Sequence, residues 1–122
     1  MYKDPYHFNV DRYIDPGRFA KIRAYSQNLP TPTLIVDLDL IGKKYDELAE
    51  SFPIADVFYA VKANPMEEVL RLLIDRNSCF DIASRYELDL MLSLGVDPQR
   101  LSYGNTIKKK SDVKYFYDKG VR

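Results

Sequence analysis

Lys62 is the side chain of this sequence best suited to covalent chemistry. It follows the run VFYAV at residues 57–61, which is apolar throughout, as in a strand buried on both faces. Side chains alternate along a strand, so Phe58, Ala60 and Lys62 are predicted to share one face, with the lysine at the carboxyl end. Parallel α/β folds place their active sites there. A neutral amine at this point could condense with a carbonyl, whereas a lysine that only reaches into solvent is the commoner case.

Polar residues also mark the carboxyl ends of the next two predicted strands. Asp81 lies near the end of the strand at 79–82, and a Tyr-Gly-Asn turn at 103–105 ends the strand at 100–103. The carboxyl ends of successive strands in a barrel meet at one rim, so these groups are expected to converge with Lys62.

Two further candidate residues have structural interpretations. Glu87 stands three residues after Ser84 and fits a capping box, which accounts for its position without any chemistry. Cys79 has no cationic neighbour in the sequence and is predicted to be a small core residue, not a nucleophile. The sequence contains no HExxH or CxxC pattern, so no metal site is predicted, and its five glycines form no phosphate-binding loop.

Composition narrows the class of protein. Lys plus Arg and Asp plus Glu each number 18, so the net charge is 0 and favours neither nucleic acid nor an anionic membrane as a partner. Hydrophobic residues make up 46% and the mean hydropathy is −0.35, as in a soluble globular chain. No apolar run approaches the roughly 20 residues that span a bilayer, and no secretory signal is recognisable at the start. With one cysteine and no possible internal disulfide, a cytoplasmic location is predicted.

The chain is predicted to change character after residue 32. Residues 1–32 hold four of the seven prolines and the only histidine, and they read as an N-terminal extension with a short helix at 18–27. Strands and helices then alternate. Predicted strands lie at 34–36, 57–61, 79–82 and 100–103, with another beginning at 121, and predicted helices lie at 40–52, 64–76, 84–95 and from about 111 to 120.

The strand starts at 57, 79, 100 and 121 are about 22 residues apart, which is the period of a βα repeat. The pattern therefore predicts an α/β fold with a parallel sheet. Two closures remain open at this point, a doubly wound sheet and a (β/α)8 barrel. A barrel needs about 250 residues, so this chain would supply less than half of one.

Four segments together resemble a known family. They are PTLIVDLD at 32–39, YAVKANP at 59–65, FDIAS at 80–84 and YGNTIK at 103–108. In this order they resemble the fold-type III pyridoxal-phosphate decarboxylases, which act on ornithine, lysine, arginine or diaminopimelate and are distantly related to alanine racemase. The resemblance extends over residues 30–122 and is greatest to the bacterial ornithine and lysine decarboxylases.

The resemblance implies roles for individual residues. Lys62 would hold pyridoxal 5'-phosphate as a Schiff base and later act as a base. Asp81 would lie near the cofactor and tune its charge, and Glu87 would join that acidic group. Residues 33–56 would supply a lead-in strand and a helix associated with a separate β-domain. Residues 57–122 would form the first βα units of an alanine racemase-like, cofactor-binding barrel.

The resemblance also implies an activity. The full-length protein would decarboxylate a basic amino acid, with ornithine converted to putrescine in polyamine biosynthesis, and would form a homodimer. Lysine, arginine or diaminopimelate decarboxylation, and a non-catalytic regulatory relative, are the alternatives. Family members carry the phosphate loop, the pyridinium partner and the proton donor in later parts of the chain. The 122 residues alone are therefore expected to be inactive, and to aggregate or stay partly disordered.

Overall fold

The computed structural model describes residues 15–121. The first part of the predicted extension and Arg122, the second residue of the last predicted strand, lie outside this range. The chain divides between Val36 and Asp37 into two units, and each is described by itself.

The described part of the first unit contains a helix, α1, at Pro16–Ser26. The Asp15 carboxylate caps it by accepting a hydrogen bond of 2.9 Å from the backbone N–H of Arg18. Pro16 occupies the first helical position, where a backbone N–H is not needed. This confirms the helix predicted at 18–27, although it begins two residues earlier.

The strand predicted at 34–36 is wrong for the described residues, because residues 33–37 adopt no regular secondary structure. A strand depends on a hydrogen-bonded neighbour, and no segment within 15–121 pairs with this one. The Leu34 side chain is accordingly 84% exposed.

The second unit is a three-stranded parallel sheet with helices between its strands. The strands are β1 (Phe58–Ala60), β2 (Cys79–Ile82) and β3 (Leu101–Tyr103), and the helices are α2 (Leu38–Ser51), α3 (Glu67–Asp75), α4 (Arg85–Ser93) and α5 (Lys110–Asp118). The strand order is β1-β2-β3, so each strand lies beside the next one in the chain. This order is found at the start of a (β/α)8 barrel and also in one half of a doubly wound sheet, which reverses its order only at a later switch point.

Three boundaries differ from the predictions. β1 ends at Ala60, and Val61–Ala63 form a 3-10 turn, so Lys62 stands just beyond the strand and outside its alternation. Helix α3 begins at Glu67 and not at Asn64, because the Asn64 side chain accepts a hydrogen bond from the backbone N–H of Met66 at 3.1 Å and forms a turn instead. Val121 is buried but belongs to no strand.

The other boundaries agree with the sequence. β2 occupies the predicted residues, and the helices predicted at 40–52, 84–95 and 111–120 are all present. Gly95 and Gly120 follow α4 and α5 with φ of 82° and 84°. These left-handed conformations are the ones for which a helix C-terminus uses glycine.

One face of the sheet packs against the helices and forms the core. Tyr59, Phe80 and Leu101 are register partners on this face, and Phe80 is 0% exposed. Its ring lies edge-on to Tyr59 with 6.4 Å between centroids. The Arg100 guanidinium lies 6.0 Å from the Phe80 ring and donates hydrogen bonds to the carbonyl oxygens of Ser78 and Ile74. This arginine stabilises the amino end of the sheet.

The opposite face of the sheet is open among the described residues. Phe58 is 46% exposed, so the expectation that β1 is buried on both faces is wrong here. Cys79, Asp81 and Ser102 share this face by register and are half-buried. On the other face of β2, Phe80 and Ile82 are fully buried. In a closed barrel the open face would point inward.

Candidate functional site at the carboxyl ends of the strands

The register of the sheet brings the predicted site residues to one rim. Ala60 pairs with Asp81, which pairs in turn with Ser102. The 3-10 turn that carries Lys62 packs against β2. The Lys62 side chain is exposed. The lysine, Asp81 and the turn at 103–105 therefore lie at the same end of three adjacent strands, as the sequence predicted.

The Tyr59 side chain forms a hydrogen bond with the loop that follows Lys62. Its hydroxyl donates a hydrogen bond of 3.2 Å to the carbonyl oxygen of Asn64. Partial burial raises the pKa of the Tyr59 hydroxyl above its ordinary value. The sequence analysis missed this role; the signal was a tyrosine on the core-facing side of a strand, since a buried hydroxyl needs a partner.

The Asp81 carboxylate lies against the backbone of Gly104. A Cβ atom at Gly104 would stand only 2.5 Å from Cγ of Asp81, closer than unbonded carbon atoms approach. The backbone N–H of Gly104 donates to the carbonyl oxygen of Ile82 at 3.0 Å, which holds the two strand ends together. Because Gly104 has no side chain, the turn at 103–105 leaves room for the Asp81 carboxylate. The sequence did not reveal this contact.

Ala83, two residues after Asp81, is held at both of its backbone polar groups. Its N–H donates to Oε2 of Glu87 at 2.7 Å, and its carbonyl oxygen accepts from Nδ2 of Asn105 at 3.0 Å. The Oδ1 atom of Asn105 accepts from the backbone N–H of Ile107 at 3.2 Å. Side chains from α4 and from the loop after β3 therefore fix the loop that follows Asp81.

The helix cap predicted at Ser84 is confirmed, but one of its two hydrogen bonds goes to a different residue. The Ser84 hydroxyl accepts a hydrogen bond from the backbone N–H of Glu87 at 3.2 Å, as a capping box requires. The Glu87 carboxylate bonds to Ala83, one residue before the cap, and not to the cap itself.

Cys79 is half-buried on the open face of the sheet. Burial raises the pKa of its thiol, and the nearby Asp56 carboxylate acts in the same direction. The thiol is therefore protonated at neutral pH and a weak nucleophile, in keeping with its predicted lack of a catalytic role.

Two substitutions of Glu87 distinguish the contribution of its hydrogen bond to Ala83 from that of its negative charge. In the intact protein, Glu87→Ala should lower the free energy of unfolding by about 1–2 kcal/mol, because the half-buried N–H of Ala83 loses its acceptor. Glu87→Gln keeps an acceptor oxygen and should cost less than half as much. Urea unfolding of both variants measures this. Equal losses would mean that the negative charge matters and the hydrogen bond does not.

Residues 38–122, more than half of the chain, match the sequence model of a family described as "Pyridoxal-dependent decarboxylase, pyridoxal binding domain". The chain belongs to this family. The resemblance drawn from the four sequence segments is therefore confirmed, and pyridoxal phosphate is the family's cofactor.

Individual relatives agree with the family match. The lysine/ornithine decarboxylase of Selenomonas ruminantium is 37% identical over 102 residues, which are 84% of this chain and 26% of that enzyme. A solved structure of the lysine decarboxylase of Selenomonas ruminantium, in complex with pyridoxal phosphate and cadaverine, is 37% identical and superimposes with a TM-score of 0.73 over 84% of this chain and 27% of its own. Antizyme inhibitor 2 of Xenopus laevis is 34% identical over 72% of this chain and 19% of its own length.

A second solved structure extends the fold match. It is the lysine/ornithine decarboxylase of Vibrio vulnificus complexed with putrescine, which is 27% identical with a TM-score of 0.76 and covers 89% of this chain and 30% of its own. The predicted fold class, the N-terminal part of an alanine racemase-like barrel, is confirmed. The chain spans about a quarter of the length of the curated relatives it matches. Within residues 15–121, every helix is too short or too polar to cross a membrane.

Proposed function

We propose that this chain is the cofactor-attachment part of an enzyme that decarboxylates a basic amino acid. The observation that carries the proposal is an exposed lysine at the carboxyl end of β1, within a chain that matches the pyridoxal-binding family. Ornithine is the proposed substrate and putrescine the product, in polyamine biosynthesis. Two relatives are named lysine/ornithine decarboxylases, which supports a basic amino acid as the substrate.

The residues present fit the attachment end of pyridoxal phosphate. Lys62 offers an accessible primary amine, and Asp81 provides a carboxylate on the adjacent strand. When bound, the cofactor supplies an electron sink for the electron pair that remains after carbon dioxide leaves. Lys62 would attach the cofactor and then move a proton at its amine. Asp81 would favour the protonated form of a nitrogen close to it.

Glu87 is proposed as the second carboxylate of this rim. One of its oxygens already accepts the hydrogen bond from Ala83, so its position depends on the loop that follows Asp81. The Glu87 side chain is half-buried, which strengthens its interaction with charges nearby. Its proposed contribution is therefore electrostatic as well as structural.

The proposal extends to the organisation of the whole protein. Residues 1–32 would be an extension, residues 33–56 would associate with a separate β-domain, and residues 57–122 would open the barrel. Because the open sheet face carries Asp81 and would point into a barrel, closing that barrel would enclose the site. A homodimer in the cytoplasm is proposed, by analogy with the family.

The test is a substrate comparison with the intact protein expressed from its natural gene. With pyridoxal phosphate added, carbon dioxide release is measured for ornithine, lysine, arginine and diaminopimelate. The expected result is the highest kcat/KM with ornithine. A higher value for another amino acid would replace ornithine as the substrate, and no release with any of them would contradict the proposed activity.

The isolated 122-residue polypeptide is predicted to release no carbon dioxide from ornithine. Its five glycines are too far apart in sequence to build a phosphate-binding loop, and one face of its sheet is open to water. Radiometric carbon dioxide capture with purified 1–122 and added cofactor measures this. Release above the cofactor-only background would contradict it, and a cooperative thermal transition would contradict the expected aggregation or partial disorder.

A non-catalytic role is the second candidate, because one relative is named an antizyme inhibitor and not a decarboxylase. The presence of Lys62 favours the enzyme, since a protein that attaches no cofactor has no chemical need for this amine. The two candidates differ in one measurement. Borohydride reduction of the intact protein with cofactor should attach a pyridoxyl group to Lys62 in the enzyme and leave it unmodified in a regulator.

A further inference from the structure

The loop after β3 crosses to the loop after β2 at two points. Gly104 leaves room for the Asp81 carboxylate, and the Asn105 side chain donates to the carbonyl oxygen of Ala83. Both contacts join residues about 22 positions apart in sequence, so neither is a local turn interaction. Both act on the short segment from Asp81 to Ala83.

Asn105 is itself held in a single orientation. Its Oδ1 atom accepts from the backbone N–H of Ile107, which directs the Nδ2 group toward Ala83. The side chain is half-buried. Its amide thus satisfies backbone groups in two loops, and replacing it leaves the Ala83 carbonyl oxygen without this donor.

Ala83 is the point where these contacts converge. Glu87 holds its N–H and Asn105 holds its carbonyl oxygen, so the peptide groups on both sides of this residue are fixed. Asp81 lies two residues earlier, and its carboxylate occupies the space that a Cβ atom at Gly104 would fill. A shift of Ala83 would therefore change where the Asp81 carboxylate lies relative to Lys62.

We propose that Asn105 and Gly104 are positioning residues that hold the Asp81 carboxylate at the rim beside Lys62. Neither residue needs to touch the cofactor; both act through Asp81. This inference rests on the proposed function, because it assumes that pyridoxal phosphate is bound at Lys62. It assigns to the Tyr-Gly-Asn turn a task that the sequence motif alone does not specify.

The test follows the absorption of the bound cofactor as a function of pH in the intact protein. A carboxylate favours the protonated form of a nitrogen near it, so displacing Asp81 should lower the pH midpoint of the spectral change. Asn105→Ala should lower this midpoint by about one unit. Gly104→Val should lower it as well, because a Cβ atom at this position would overlap the Asp81 carboxylate and force it to move.

A matched control is available at the opposite end of the sheet. Gln99 precedes β3, and its side-chain amide donates to the carbonyl oxygen of Gly120 at 3.1 Å, a contact that spans a similar sequence separation. Gln99→Ala removes the same kind of bond as Asn105→Ala. It should leave the midpoint unchanged, since it acts at the amino end of the strand.

A double-mutant cycle with Asp81→Asn decides whether Asn105 acts through Asp81. Asp81→Asn alone should lower the midpoint, and adding Asn105→Ala should then have no further effect. The inference is overturned if Asn105→Ala and Gly104→Val leave the midpoint unchanged, or if the shift from Asn105→Ala persists in full beside Asp81→Asn. Gly104→Val serves as the test if Asn105→Ala does not fold.

Two results separate this inference from the proposed function. Borohydride trapping at Lys62 in the unmodified protein tests the proposed function by itself. Trapping without any midpoint shift in the variants overturns only the positioning role. Absence of trapping overturns both.

Discussion

Lys62→Ala is expected to abolish the covalent attachment of pyridoxal phosphate to the intact protein. The substitution removes the exposed primary amine at the carboxyl end of β1 and leaves the core intact, because the lysine side chain contributes nothing to it. Carbon dioxide release should fall on the order of 10²–10⁴-fold, the range for loss of a positioned proton-transfer group. Borohydride reduction followed by mass analysis of the peptide containing residues 59–65 measures attachment directly.

Two control variants separate chemistry from charge. Lys62→Arg retains the positive charge but has no amine that can condense with an aldehyde, so it should behave like Lys62→Ala. Lys114 is exposed on α5, where it forms an ion pair with Asp118, and Lys114→Ala should retain both attachment and turnover. Trapped cofactor on a different lysine, or full turnover by Lys62→Arg, would contradict the assignment of Lys62.

Phe80→Ala is expected to cause the largest loss of stability. The Phe80 side chain is fully buried, and its ring lies beside Tyr59 and the Arg100 guanidinium. Replacing a buried phenylalanine with alanine removes its hydrophobic contribution and leaves a cavity, at a cost of about 3–5 kcal/mol. Urea unfolding and the melting temperature of the intact, cofactor-free protein measure the loss.

Phe52 provides the same substitution in an exposed position. It lies at the end of α2 with 55% of its side chain exposed, so Phe52→Ala should cost much less, about 1 kcal/mol or below. Because both variants change phenylalanine to alanine, the difference between their losses of stability reports the burial of Phe80. Similar losses for the two variants would show that the helix-facing side of the sheet is not the core.

Local sequence patterns predicted much of the fold because each depends on nearby residues. The apolar runs, the cap at Ser84 and the glycines at 95 and 120 act within one element, and the structure has them where they were expected. The strand predicted at 34–36 is one exception. A strand is completed by a partner that a local pattern does not contain, and none of the described residues pairs with this segment.

In the candidate site, too, some features could be predicted from local sequence patterns and others depend on contacts between distant residues. Lys62, Asp81 and the turn at 103–105 were predicted to share a rim, since a regular βα repeat implies where strand ends meet. The structure adds that Lys62 stands beyond the strand in a 3-10 turn, which the short apolar run did not reveal. The hydrogen bond from Tyr59 to Asn64 was also missed, because the partner of a buried hydroxyl cannot be read from residue types.

The order of elements, the family resemblance and the candidate lysine could be predicted, because they follow from residue types and their spacing along the chain. The contacts that hold Asp81 and the loop after it could not be predicted in this way. The contacts of Gly104 with Asp81 and of Asn105 with Ala83 join segments about 22 residues apart. Their geometry depends on strand register and loop conformation, and these are set when the sheet forms and not by any local preference of the residues involved.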